Sequence, residues 1–130
     1  MTNLQLKPGC SWAETYARCI SVAPEAFESD RIRNLLQGEW KRVGVPGHHV
    51  TPVDLSPVQG PPRVERGIAA NAIEHARDQH AAWSKVGLAE RRERVTAAID
   101  TMVLHRDLLA LLLVWEIGKP WRLAAADVDR

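Results

Sequence analysis

Two cysteines, five histidines and a dense run of arginine and glutamate are the side chains here whose types could do chemistry. Cys10 and Cys19 are too few for a disulfide framework and fit no zinc spacing. If the chain between them is helical, they stand about two and a half turns apart, on opposite faces. Both are expected to be free thiols in a reducing compartment. His48 and His49 are adjacent, and adjacent residues on a strand point to opposite faces. No carboxylate or cysteine lies at convenient ligand spacing, so no metal site is expected there. His75 and His80 are about 140° apart round a helix and do not converge; His80 is placed on an apolar stripe and read as half-buried. Glu90, Arg91, Arg92, Glu93 and Arg94 interleave their charges, which makes a solvated, self-paired face rather than a nucleic-acid patch. Five tryptophans could form a stacking platform, but Trp83 and Trp115 fall in apolar stripes and are expected in the core. No Gly-x-Gly-x-x-Gly occurs. No catalytic, cofactor-binding or metal-binding residue is therefore assigned.

Composition narrows the class. With 130 residues, 45% hydrophobic and 25% charged, the chain has the balance of a soluble globular domain. A formal charge of +1 gives no field that would favour nucleic acid or an anionic membrane. Residues 1–9 show no apolar leader. The longest apolar run, Leu108 to Trp115, is far short of the roughly 20 residues of a membrane helix. A cytoplasmic location is the expectation.

The elements that must position these side chains read as follows. Ser11-Trp12-Ala13-Glu14 is a capping box, opening a helix with Trp12, Tyr16, Cys19 and Ile20 at helical spacing and bounded by Pro24. Pro24 to Phe27 could add a short turn. Asn34 to Val43 looks like a small hairpin with Gly38 at its tight position. From Gly44 to Pro62 prolines and glycines exclude a helix, leaving edge strands near His48–Val53 and Arg63–Glu65. Helices then follow at about 69–83, with Ala69, Ile73, Ala76, His80 and Trp83 as its stripe, and at 88–103, with Leu88, Val95, Ile99 and Met102. A third, capped by Asp107, runs to Ile117 and ends at Gly118. A fourth starts at Pro120 and continues through Val128.

The third helix is apolar all the way round from Leu108 to Trp115. A helix of that kind is buried on every side. Each such side chain left exposed forgoes about 1.5–3 kcal/mol. Either it is the centre of a small bundle, or further chain or a partner subunit covers its outer side. The ending at Arg130, without a C-cap or tail, is read as an interruption.

The order of pieces resembles the N-terminal region of the aldehyde dehydrogenase superfamily. The resemblance rests on Leu36-Gln37-Gly38-Glu39-Trp40, Ser56-Pro57-Val58-Gln59-Gly60, the helix ending in Trp83, and Glu90-Arg91 opening the next helix. It continues through Leu108-Leu109-Ala110 to Glu116-Ile117-Gly118-Lys119-Pro120 and Ala124 to Val128. It covers about residues 34–130, with residues 1–33 as an extension carrying one capped helix. Gln37, where asparagine is usual, and Ile117, where threonine or serine is common, are departures. The resemblance implies a mainly α chain with a few short antiparallel strands, the N-terminal part of the α/β aldehyde dehydrogenase fold. It implies a parent enzyme that oxidises an aldehyde to a carboxylic acid with NAD or NADP through a cysteine nucleophile. Cys10 and Cys19 precede every matching piece, so neither takes that role. The expectation is a fragment without catalytic, cofactor or metal residues, inactive alone and partnered by the remainder of its own chain in a homo-oligomer. Neither nucleic acid nor membrane is an expected partner. The alternative is a non-catalytic helical interaction module or truncated gene product. Glu116 is disfavoured by the helix dipole at its C-terminal position, and Lys119 is its expected partner.

Overall fold

Ser11 opens the first helix, α1 (Trp12–Val22), through both halves of a capping box. The Glu14 N–H donates to the Ser11 hydroxyl at 3.2 Å, and the Ser11 N–H donates to the Glu14 carboxylate at 2.7 Å. The computed structural model describes residues 8–130; the leaderless reading of residues 1–7 lies outside them. Trp12, Tyr16, Cys19 and Ile20 are all half-buried, as their spacing predicts, and Thr15 between them is fully buried. Pro24 begins a single 3-10 turn, Pro24–Ala26.

Three antiparallel strand pairs follow. The first, β1 (Phe27–Glu28) with β2 (Arg31–Ile32), is absent from the sequence reading. Its turn residues Ser29 and Asp30 both have positive φ, 48° and 61°, the geometry that two-residue hairpins need. No glycine advertises it. The second pair, β3 (Asn34–Leu36) with β4 (Glu39–Lys41), is the expected hairpin, turning on Gln37 and Gly38 at φ 58° and 81°. The third, β5 (Val45–Val50) with β6 (Pro57–Arg63), replaces the two short strands expected at His48–Val53 and Arg63–Glu65. Breakers were given too much weight here: proline bars a helix, but in a two-stranded ribbon half the N–H groups face outward and need no partner.

Four helices complete the chain: α2 (Arg66–Trp83), α3 (Leu88–Leu104), α4 (Arg106–Ile117) and α5 (Trp121–Val128). The architecture is thus mainly helical with short antiparallel strand pairs. No helix among the described residues is long and apolar enough to cross a membrane. The expected Asp107 cap is not made. α3 runs into α4 through His105 alone, whose φ of −105° and ψ of 18° are not the extended geometry of a capping residue. Asp107 lies in the first turn and accepts from Arg106 at 2.8 Å. Gly118 does end α4, at φ 68°, with its N–H donating to the Val114 carbonyl at 2.9 Å.

The core sits where α4 meets α1, α5 and the turn after β5. Leu108, Ala110, Leu111, Val114 and Trp115 are buried, and Leu109, Leu112 and Leu113 are half-buried. Ala124 and Ala125 of α5 close on Ala110 and Val114, with Val53 packed beside them. Within the described residues α4 is therefore the central helix, with Leu109, Leu112 and Leu113 as its less covered side. Uncovered apolar surface lies instead on α2 and α3, neither of which holds a buried residue. The half-buried residues of α2 are Ile68, Ala69, Ala72, His75 and Trp83, so Ala69 and Trp83 keep the stripe assigned from sequence while Ile68, Ala72 and His75 replace Ile73, Ala76 and His80. Ile73 is 61% exposed and His80 is exposed rather than half-buried. Trp83 is half-buried beneath the Arg94 guanidinium, 5.8 Å from its ring centre, and not in the core.

Candidate functional site

Several side chains with chemical capacity, among them His48, His49 and Glu116, gather at the C-terminal end of α4. Thr51, directly after β5, is fully buried and donates its hydroxyl to the Trp115 carbonyl. The same hydroxyl accepts from the Val53 N–H at 3.2 Å. Gly118 lies against Pro52 so closely that a Cβ there would come within 2.9 Å of the proline ring. These contacts fix the end of the β5–β6 ribbon on α4, and a groove of about 690 Å³ opens between them, lined by His48, His49, Gln59 and Glu116.

The ribbon owes its shape at the groove to two glycines. Gly47 and Gly60 are directly opposed, and a Cβ on Gly60 would strike the imidazole of His49. His49 thus lies over bare backbone, two residues from its own cross-strand partner Val58. His48 pairs with Gln59 on the other side of the pleat. The Tyr16 hydroxyl donates to the Asp30 carbonyl at 2.8 Å and has the Gln59 carboxamide oxygen 3.3 Å away, which ties α1 and the first hairpin to the ribbon.

Glu116 keeps solvent on one side. Loss of water on the other pushes its carboxyl above the ordinary range, and His49 pulls it partly back. Lys119, its expected partner, pairs with Asp127 of α5 instead. The reason is geometric: past the left-handed Gly118 the chain reverses, carrying Lys119 away from the last turn of α4. Cys19 faces the same end of α4. Burial, and then the charge of Glu116, raise its thiol above the usual range, while Arg18 draws it down less. A thiol so placed is mostly protonated and a poor nucleophile. Cys10 precedes α1, so no helical angle relates it to Cys19; its sulfur lies 3.5 Å from the Thr15 hydroxyl. Both thiols are free.

Glu116, His49 and Cys19 are near one another, yet no group of three histidine, cysteine, aspartate or glutamate side chains among the described residues could hold a metal. His75 is half-buried on α2 and His80 is exposed. On α3, Arg94 pairs with Glu90, four residues before it, the self-paired face read from the sequence. The junction where β6 gives way to α2 does not fit a dinucleotide. It runs through Val64 and Glu65 without a glycine-rich turn. The end of α4 can hold a ribbon and bind; it has no activated nucleophile. Thr51 and the Gly47–Gly60 pair escape a sequence reading because each acts through a contact with a distant segment. The only local signal is a threonine and two glycines that interrupt a proline-rich stretch.

Comparison with known proteins adds one match. The model of the aldehyde dehydrogenase family matches residues 46–130. No curated protein and no solved structure gives a significant match.

Proposed function

The chain belongs to the aldehyde dehydrogenase family, and from that premise we propose that it is scaffold for an NAD(P)-dependent oxidation of aldehyde to carboxylic acid. The observation that carries this reading is the matched stretch itself. Residues 46–130 contain no cysteine, and the family's reaction needs a cysteine thiolate to attack the aldehyde. Cys10 and Cys19 lie before the match, and the raised thiol of Cys19 argues against any borrowed role. The chemistry, and the choice of NAD or NADP, belong on this reading to the remainder of a family domain. Its partners are that remainder and further copies in a homo-oligomer. Two free thiols suit a cytoplasmic setting.

The exposed stripes of α2 and α3 support the scaffold role. Ile73, Leu88, Val95, Ile99 and Met102 are each more than half exposed, an apolar surface that a monomer does not leave to water without use. They equally favour a second reading, a non-catalytic helical module that docks through these helices. The purified 130-residue chain is expected to yield no NAD(P)H from acetaldehyde, hexanal or benzaldehyde. Steady production of NAD(P)H would overturn the scaffold reading. Light scattering separates the two readings: self-association through exposed stripes fits the scaffold, and a stable monomer fits the module.

A further inference from the structure

Beside the Glu116 groove, sharing part of the ribbon with it, lies a second groove of about 570 Å³, within the usual range for small-molecule sites. Its polar rim includes Arg31, Arg42 and His48, its walls include Ile32, Pro46 and Val58, and no carboxylate lines it. The charge around it is unbalanced. Glu28 accepts from Arg42 and forms an ion pair with Arg33, each at 3.4 Å, and stands directly opposite Arg31 in the first hairpin. Two guanidinium groups therefore share one carboxylate, and Arg31 adds a third on the strand paired with it. The Arg33 Nε is buried and has no hydrogen-bond partner, a further sign that the cluster has more donors than acceptors. The Asn34 carboxamide donates its N–H groups to the Val43 and Pro62 carbonyls, which holds β3 against the ribbon.

The geometry points to a binding site for a small organic carboxylate with an apolar body. Guanidinium groups recognise a carboxylate through paired N–H donors, and Ile32, Pro46 and Val58 receive the hydrocarbon. The site is built partly by the segment before residue 46, outside the family match, and it does not depend on the scaffold reading above.

The test follows the Gly44, Gly47 and Gly60 amides of the 130-residue chain by NMR during titration with 4-phenylbutyrate, 4-phenylbutanol or inorganic phosphate. The carboxylate is expected to bind about tenfold more tightly than either of the others, the scale of one charge-assisted contact. The double variant Arg31→Gln, Arg42→Gln is expected to lose that preference. Equal binding of the alcohol would remove the anion from the proposal, and equal binding of phosphate would remove the apolar body; either overturns it. So would a preference that survives in the double variant. Should the variant fail to fold, the three-ligand comparison on the unaltered chain decides alone.

Discussion

α4 and α3 are consecutive helices joined by one residue, and they hold opposite positions in the molecule. α4 has five buried residues and α3 has none. α4 is apolar all the way round, and α3 carries one apolar stripe beside a charged face. α4 is covered because α1, α5 and the turn after β5 approach it from three directions, whereas α3 and α2 extend from that body with their stripes in solvent. Being apolar makes burial favourable; burial happens only where other segments arrive.

Substitutions can break that comparison. Trp115→Ala, which empties a site 1% exposed, should cost about 3–5 kcal/mol, whereas Ile99→Ala on α3 should change stability by no more than about 0.5 kcal/mol. Urea unfolding of both variants, at a dilution where light scattering shows a monomer, tests this. A large loss from Ile99→Ala would mean that α3 is covered in solution and that the contrast fails. Thr51→Val sharpens the point about coverage. It removes a fully buried hydroxyl that donates to Trp115 and accepts from Val53, and it should cost about 1–3 kcal/mol. Faster hydrogen exchange at the end of α4, with α3 unchanged, would place the loss at the ribbon seam. An unchanged unfolding midpoint would show that the ribbon does not hold α4.

The smallest expected effect is on Glu116. Its folded-state pKa lies above the ordinary 4.5, so the folded chain holds this proton more tightly than the unfolded chain. The contribution of this group to stability is full below 4.5 and is lost as pH rises through the folded value. Glu116→Gln should therefore raise the thermal midpoint slightly at pH 7.5 and leave it nearly unchanged at pH 4. A lower midpoint at pH 7.5 would mean instead that the attraction of His49 outweighs the loss of water.

Much of this molecule could be read from the chain because the signals are local. The α1 capping box, the Gln37-Gly38 hairpin, the Gly118 terminator and the ends of α2 and α3 each depend on residues within one or two turns of one another. The first hairpin was missed because Ser29 and Asp30 adopt a conformation that glycine or asparagine would have announced. The buried side of α2 was misplaced because Ile73 and Ile68 are equally apolar, and only a neighbouring segment selects one of them. The arginine cluster round Glu28 is not legible in the sequence because Arg31 is on β2 while Arg33 and Arg42 lie in the links after β2 and β4.

The sequence by itself determined the helices and most of their ends, the absence of a glycine-rich dinucleotide turn and the resemblance to a family, because hydrogen bonding along the chain and apolar periodicity are set within a few residues. Tertiary structure alone decided which apolar face is core, that Lys119 turns away from Glu116, and that Thr51 and two facing glycines seat a ribbon on the end of α4. Those outcomes depend on which distant segments meet, and no local pattern records that meeting.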